Sequence, residues 1–141
     1  MAALNVLSLM LYIDEIRIIL QHGVLHILAL NKTRLGLSIP NELVNVDDYD
    51  IIRSDRNRSW RWSLCLYEKG LNFSNRLNLV PENLEADCLE VNKPMSRHFV
   101  VSAIYGPPNT PIELILKIDK FIGKLDDDYE EMYILGDLDC I

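Results

Sequence analysis

Two aspartates, Asp137 and Asp139, have the residue type and spacing that most directly indicate chemistry. They follow an apolar run at 132–135 that predicts a short buried strand, and Gly136 is expected to let the backbone turn sharply before the first acid. In an extended conformation, residues at i and i+2 point to one face, so both carboxylates would lie together. The pair predicts a place for a divalent metal or a polarised water. The alternative is an ordinary strand exit with solvated acids.

Composition limits the classes of protein that the chain can belong to. The 141 residues are 49% hydrophobic and 25% charged, which predicts one soluble globular domain. The net charge of -7 argues against a general nucleic-acid binder, because phosphate binding usually needs a basic surplus. Any contact with nucleic acid must therefore be local.

The cysteines and the apolar segments of the first thirty residues indicate the cellular compartment of the protein. Cys65, Cys88 and Cys140 form no CxxC pair, so neither a disulfide framework nor a zinc site is predicted. The apolar opening at 2–13 lacks the basic segment of a signal peptide, and polar residues interrupt the run at 16–30. We expect an intracellular protein, nuclear or cytoplasmic, with no membrane span.

The first thirty residues predict a strand, a helix and a second strand. The segments are 4–9, a helix from Ile13 to the glycine at 23, and 24–30, which together form a βαβ unit with parallel strands. Asn5 stands inside the first strand, where a core amide needs hydrogen-bond partners. A satisfied structural asparagine and a functional one are both compatible with this position.

The middle of the chain contains the only basic patch. A loop at 31–48 precedes two predicted strands, 49–53 and 63–67, and the connection between them is rich in arginine and tryptophan. The residues assigned here to nucleic-acid binding are Arg56, Arg58, Trp60 and Arg61. Tryptophan between arginines is suited to stacking on bases or lining a phosphate groove. A solvated hairpin loop whose tryptophans pack on the sheet is the alternative.

The second half predicts three more strands and one amphipathic helix. The strands are 78–80, 86–91 with Asp87 and Glu90 on its exposed side, and 99–105. Thr110 and Glu113 have the spacing of a capping box, and apolar residues from 114 to 125 form the buried stripe of the helix. The strand at 132–135 then returns to the sheet.

Five segments, taken in order, resemble the endonuclease/exonuclease/phosphatase superfamily, specifically the apurinic-type endonuclease domain of non-LTR (LINE-like) retrotransposon polyproteins. They are Leu-Asn-Val-Leu-Ser-Leu (4–9), Ile-Leu-Ala-Leu-Asn-Lys-Thr-Arg-Leu (27–35), Tyr-Asp-Ile-Ile-Arg-Ser-Asp-Arg-Asn-Arg (49–58), Ile-Tyr-Gly-Pro-Pro-Asn (104–109) and Ile-Leu-Gly-Asp-Leu-Asp-Cys (134–140). The resemblance implies the DNase I-like α/β fold with two sheets, Mg²⁺-dependent phosphodiester hydrolysis and DNA as the partner.

The resemblance also implies roles at individual positions. Asn5 falls where the family has an asparagine near the metal, and Tyr105 where a tyrosine contacts the scissile phosphate. Asn109 follows as a neighbour of the phosphate. Asp137 matches the acid that orients the attacking water, and Asp139 stands where the family has an asparagine that helps to hold the phosphate.

The sequence departs from the family pattern at several of these positions. Lys32 stands where the family has its metal-binding glutamate, and Trp60 begins a segment that replaces a glycine-rich turn. The catalytic histidine of the family would belong to a C-terminal part that is not in the sequence, so we expect a single partial domain over 1–141. An ammonium in place of a carboxylate removes an oxygen ligand and repels Mg²⁺, by about 4 kcal/mol per unit-charge pair at 4 Å and an effective dielectric of 20.

The expected function is therefore that of a degenerate endonuclease domain with impaired catalysis. The alternatives are a non-catalytic module that binds nucleic acid or protein through the basic patch, and a chain with no function. An incomplete two-sheet sandwich would leave apolar sheet surface exposed, and several hundred Å² of it forfeits on the order of 10 kcal/mol. We therefore also expect hydrophobic dye binding and self-association.

Overall fold

A computed structural model describes residues 1–54, 63–106 and 108–138. The chain divides into two compact units, Met1–Gly70 and Leu71–Ile141. Each described unit contains one four-stranded mixed sheet and one α-helix, so the predicted α/β class with two sheets is confirmed. Within the described ranges, neither helix combines the length and apolar character needed to cross a membrane.

The first unit begins with the predicted βαβ arrangement. Its elements are β1 (Ala2–Asn5), α1 (Leu9–Gln21), β2 (Ile27–Asn31), a 3₁₀ turn (Asn41–Leu43), β3 (Tyr49–Ser54) and β4 (Ser63–Glu68). The sheet order is β1-β2-β4-β3, with β1 parallel to β2 and the other pairs antiparallel. The parallel pair is confirmed, and the region predicted as a loop contains one 3₁₀ turn.

The boundary between β1 and α1 was predicted wrongly. The sequence pattern placed a strand at 4–9, whereas β1 ends at Asn5 and α1 begins at Leu9. The physical reason is that Leu9 belongs to the apolar stripe of the helix, one turn before Ile13, and both are buried. This stripe packs on Leu28 and Leu30 of β2, which is buried at every position along its length.

The second unit contains the longer helix. Its elements are β5 (Asn72–Asn75), a 3₁₀ turn (Leu77–Leu79), β6 (Ala86–Asn92), β7 (Phe99–Gly106), α2 (Ile112–Asp128) and β8 (Met132–Leu138). The sheet order is β5-β6-β7-β8, with β7 parallel to β8 and the other pairs antiparallel. The predicted strand at 78–80 is wrong, because that segment overlaps the 3₁₀ turn, and β5 was not predicted.

Helix α2 has the predicted buried stripe but a different start. Ile118, Phe121 and Leu125 are buried against the sheet core. The helix begins at Ile112 with Pro111 as its N-cap, and the side chain of this proline makes no capping hydrogen bond. The backbone carbonyl of this proline instead accepts hydrogen bonds from the first turn of the helix.

The two acids of β6 are not on an exposed side, as the sequence pattern had suggested. Asp87 and Glu90 are 4% and 7% exposed. Their separation of three residues places them on opposite faces of a strand, so a single solvated face could not hold both. Glu90 is instead held by three neighbouring side chains, described below.

Candidate active site

Strands β1 and β2 end side by side, and each ends on an asparagine. The register of the parallel pair joins Asn5 to Asn31, and the carbonyl of Asn31 accepts a hydrogen bond from the backbone N–H of Val6 at 3.1 Å. Asn31 is buried, whereas Asn5 is exposed. The prediction of Asn5 as a core amide is therefore wrong. It lies at the open end of an edge strand, where a side chain is accessible to a ligand.

The chain leaves both strand ends through residues with left-handed backbone angles. Leu7 follows β1 with φ of 53°, and Lys32 follows β2 with φ of 55°. Positive φ is costly for residues with a Cβ, so the surrounding structure must hold both turns in place. One such restraint is the 2.8 Å hydrogen bond from the N–H of Leu9, the first residue of α1, to the carbonyl of Thr33. Lys32 is thus fixed immediately beyond the paired asparagines.

The side chains at this edge do not fit a magnesium ion. Asn5 and Asn31 provide neutral amides, and Lys32 provides a cation and no acceptor. Mg²⁺ needs several hard oxygen ligands and normally at least one carboxylate. Across the described residues, no group of three or more histidines, cysteines or acids is placed to hold a metal ion. The edge suits a neutral or anionic group better than a divalent cation.

The second parallel pair, β7 and β8, also brings site residues to one strand end. The register joins Tyr105 to Asp137, and Tyr105 is only 8% exposed. The backbone N–H of Tyr105 donates to the carbonyl of Glu85 at 2.9 Å, which fixes the strand end. Backbone pairing therefore places the predicted phosphate-binding and water-orienting positions beside each other. The side chain of Asp137 lies outside the described residues.

Gly136 has a different role from the predicted turn. Strand β8 continues through it to Leu138, so the predicted sharp turn is wrong. An added Cβ would lie 1.8 Å from the carbonyl oxygen of Ile104 in β7, and φ is +148°. Only glycine fits such a close approach of two strands. The glycine holds the end of β8 tightly against β7 at the position before Asp137.

Of the remaining predicted site residues, the structure describes only Asn109. Asn109 is exposed and has φ of 59°, three residues before α2 begins. Asparagine tolerates this conformation better than most residues. The residues outside the described ranges are Asp139, Arg56, Arg58, Trp60 and Arg61.

Arg53, which adjoins the basic patch, is used within its own unit. Its guanidinium donates to the backbone carbonyl of Ile39 at 2.7 Å and to the side chain of Asn41 at 2.9 Å. A third bond runs to the carbonyl of Gly36 at 3.3 Å. This arginine therefore anchors the loop after β2 and is not a free phosphate contact.

Sequence reasoning did not single out Asn31, which the structure places beside Asn5. The signal was a polar residue directly after a continuous apolar run, which is the same signal that identified Asp137. In the structure, the two asparagines are paired by register, which sequence alone does not reveal.

Comparison with known proteins gives matches in structure only. No family model matches the sequence, and no curated protein matches it. The endonuclease domain of TRAS1, a telomere-specific non-LTR retrotransposon, matches with a TM-score of 0.71 and 14% identity over 97% of this chain and 57% of that one. The AP endonuclease LMAP from Leishmania major matches with a TM-score of 0.62 and 16% identity, over 87% and 46%. The 3' phosphatase NExo from Neisseria matches with a TM-score of 0.62 and 13% identity, over 97% and 56%.

These matches define the fold class. The chain has the fold of the endonuclease/exonuclease/phosphatase superfamily, the DNase I-like fold, as the sequence motifs predicted. A non-LTR retrotransposon endonuclease domain, the particular type that the sequence resembles, is among the matched structures. The chain spans about half the length of these proteins, between 46% and 57%.

Proposed function

We propose that this chain is a retrotransposon-type endonuclease domain, of the phosphodiesterase class, whose own hydrolysis of DNA is impaired. The fold supports the class. The observation that carries the impairment is Lys32, which β2 and the paired asparagines hold at the strand end where the resemblance implies a metal-binding glutamate. A cation fixed at that point opposes a divalent metal.

The proposed site residues keep the roles that the family implies. Tyr105 would donate its phenolic hydrogen to a phosphate oxygen, and Asn5 and Asn109 would provide amide contacts near the phosphate. Asp137 would orient a water molecule, and Asp139 would replace an amide donor with an acid. In the family, Mg²⁺ stabilises charge that develops on the phosphate. The residues beside Lys32 do not fit that ion.

The domain organisation and the cellular location remain predictions. We propose that residues 1–141 form one partial domain and that the protein acts inside the cell, on DNA. Two of the matched structures support DNA as the substrate, since TRAS1 is a telomere-specific retrotransposon and NExo is bound to a product DNA hairpin.

A nicking assay tests the proposed impairment. The purified chain is incubated with supercoiled plasmid and with an abasic duplex, in Mg²⁺ and separately in Mn²⁺. We expect no cleavage above the level of a buffer control. Nicking that disappears in the Asp137→Ala variant would contradict the impairment and establish an active endonuclease. Nicking that persists in that variant identifies a contaminating nuclease, and the assay is repeated on protein freed from it.

A further inference from the structure

A polar groove opens in the second unit, at the edge of the sheet formed by β5 and β6. Its volume is about 590 Å³, within the range of pockets that hold small molecules. Its walls consist of polar and charged side chains from both strands and from the hairpin at 93–98, together with one proline. They are Asn72, Ser74, Arg76, Glu90, Asn92, Lys93, Pro94 and His98.

The groove is separate from the candidate active site. The hairpin at 93–98 leads into the first residue of β7, whereas Tyr105 lies close to the other end of that strand. Six residues of extended chain span about 20 Å. The groove and the strand ends of β7 and β8 are therefore at opposite ends of the same sheet.

Strand register explains why the floor of the groove is polar. Asn72 pairs with Asn92, and Ser74 pairs with Glu90, so these four side chains share one face of the antiparallel pair. Farther along β6, the same face carries Cys88, which is buried in the core beneath α2. The helix covers that part of the face and leaves the polar part at the sheet edge open.

A buried carboxylate organises the basic side chains of the groove. Glu90 accepts from Arg76 at 2.6 Å through Nε and 2.5 Å through Nη2, and its other oxygen contacts Nδ1 of His98 at 2.8 Å. The Tyr129 hydroxyl also donates to Glu90, at 3.0 Å. Hydrogen bonds from His98 and then Arg76 hold the pKa of Glu90 below its usual value, against the opposing effect of burial. The carboxylate therefore remains ionised and fixes the orientation of its partners.

Fixing these partners leaves donors directed away from the carboxylate. Arg76 uses Nε and Nη2 for Glu90, which leaves the N–H groups of Nη1 outside that ion pair. His98 uses Nδ1, and its Nε2 can donate as imidazolium or accept from a phosphate hydroxyl when neutral. Both side chains are about half exposed, so these atoms are accessible to a ligand.

Lys93 adds a third basic group. Its ammonium lies 4.6 Å above the ring of Phe99 and 3.8 Å from a carboxylate oxygen of Glu131. The ion pair is exposed on both sides, and such pairs contribute at most about 1 kcal/mol, so a stronger anion can compete for the ammonium. The ring contact keeps the ammonium near the groove.

The charge balance of the groove is the reverse of that of the chain. One arginine, one lysine, one histidine and one acid line it, while the whole sequence has 21 acids against 14 lysines and arginines and 3 histidines. The single acid already has Arg76 and His98 as hydrogen-bond partners. A solvated strand edge in an acidic protein would not be expected to gather basic groups around one buried carboxylate. The remaining donors match an oxyanion with several acceptor oxygens.

We propose that this groove binds the phosphate group of a small molecule, held by Arg76, His98 and Lys93 with help from the neighbouring amides. The phosphate can be free or part of an ester, and the groove volume leaves room for an attached nucleoside-sized group. The proposal does not depend on the proposed endonuclease function, since the two sites are at opposite ends of the sheet.

Titration of the full chain, followed by amide NMR at constant ionic strength, tests the proposal. Inorganic phosphate is one ligand and adenosine monophosphate is the other, with sodium chloride as the reference. We expect saturable shifts at the amides of residues 72–76 and 90–98 for at least one of the two phosphate ligands. Tighter binding of the monophosphate would identify an ester as the ligand, and equal or weaker binding would identify free phosphate.

Three variants test the contribution of individual charges. Lys93→Met and His98→Gln should each weaken phosphate binding about five- to tenfold, the size of one charge-assisted contact. Arg97→Met is the matched control, because Arg97 belongs to the same hairpin but does not line the groove, and it is paired with Glu130. Its affinity should stay within about twofold.

The two groove variants must be shown to fold before their affinities are compared. His98 contacts Glu90, so its replacement can disturb the groove, whereas Lys93 has only exposed contacts. Each variant is therefore checked by its amide spectrum before titration. Shifts that do not saturate for either ligand, or an equal loss of affinity in Arg97→Met, would overturn the proposal.

Discussion

The two parallel strand pairs of this protein have the same geometry and different chemistry. In each unit, two parallel strands end side by side, and a helix follows the first strand of the pair. The ends of β7 and β8 place Tyr105 beside Asp137, which are residue types suited to phosphate chemistry. The ends of β1 and β2 place Asn5 beside Asn31, followed by Lys32. Backbone pairing and buried apolar residues maintain the fold at both ends, so the side chains at a strand end can differ without disturbing the structure.

The two helices have similar inner faces and different outer faces. Both bury an apolar stripe against their sheets. Helix α2 exposes many charged residues and two large apolar side chains, Ile112 and Leu116, whereas α1 exposes five large apolar side chains. These are Met10, Leu11, Tyr12, Ile18 and Ile19. The outer face of α1 therefore exposes more large apolar side chains than the outer face of α2 does.

The largest expected effect concerns the close packing of β7 and β8. Gly136→Ala should destabilise the protein by more than about 3 kcal/mol, because its Cβ would overlap the carbonyl of Ile104 and its φ is +148°. Chemical denaturation measures this change. Gly123→Ala is the matched control, since Gly123 lies within α2 and has open space around it. That variant should be more stable by up to about 1 kcal/mol. A cost below about 1 kcal/mol at Gly136 would show that the strand end is adaptable.

Next in size is the effect of emptying the core beneath α2. Phe121→Ala should cost about 3–5 kcal/mol, as expected for a fully buried aromatic ring. Leu116→Ala, on the exposed side of the same helix, should change the stability by less than about 0.5 kcal/mol.

Alkylation of the buried thiol of Cys88 gives a second measurement of how far Phe121→Ala loosens the core beneath α2. Burial raises the pKa of Cys88, which shares the core with Phe121, to about 11. Its thiol should therefore resist alkylation at pH 8 in the folded protein and react faster in Phe121→Ala. Equal reaction rates in the two proteins would mean that Cys88 is exposed without loss of the core.

A smaller effect is expected at the outer face of α1. The double variant Leu11→Lys, Ile18→Lys should reduce the binding of a hydrophobic dye and any self-association several-fold, because both side chains are more than half exposed. Dye fluorescence and sedimentation velocity measure these properties. A matched pair on α2, Leu116→Lys with Lys120→Leu, keeps the net charge and should leave dye binding unchanged. Unchanged dye binding in the α1 variant would show that the dye-binding apolar surface lies elsewhere.

The smallest predicted effect is the acid sensitivity of the Glu90 cluster. The pKa of Glu90 is lower in the folded protein than its unfolded value of 4.5. Its contribution to stability is therefore complete above pH 4.5 and is lost as the pH falls through the folded pKa. The Tm of Glu90→Gln should therefore be lower at pH 7 by about 3 °C and should fall less steeply between pH 5 and pH 3. Glu113→Gln, on the exposed face of α2, is the control and should follow the wild-type profile. Parallel profiles for wild type and Glu90→Gln would contradict the assignment.

Local periodicity explains which elements the sequence could predict. The stripe of α2 and the apolar run of β7 are encoded by neighbouring residues, and both were predicted correctly. Strand β5 has the sequence Asn-Phe-Ser-Asn, which contains little apolar alternation, and it exists because β6 provides its hydrogen bonds. Such pairing is not visible in the sequence of the strand itself.

The candidate active site and the Glu90 cluster were also only partly predictable from local sequence patterns. Asn5 and Tyr105 could be singled out from motifs, but the pairing of Asn5 with Asn31 depends on the register of strands 26 positions apart. Glu90 was misplaced because the groups that hold it are distant in sequence, 14 residues away at Arg76 and 39 at Tyr129. Burial of a charged residue depends on such partners, which local patterns do not contain.

Metal binding by wild type and by Lys32→Glu tests the central claim most directly. Binding of Mn²⁺ is measured by titration calorimetry, with Lys69→Glu as a control that makes the same charge change on an exposed residue of the same unit. We expect no saturable site in the wild type or in Lys69→Glu. Lys32→Glu should gain at least about tenfold in affinity, because it replaces a repelled cation with a carboxylate ligand. Saturable binding of Mn²⁺ by the wild type, unchanged in Lys32→Glu, would contradict the claim that Lys32 has removed the metal site.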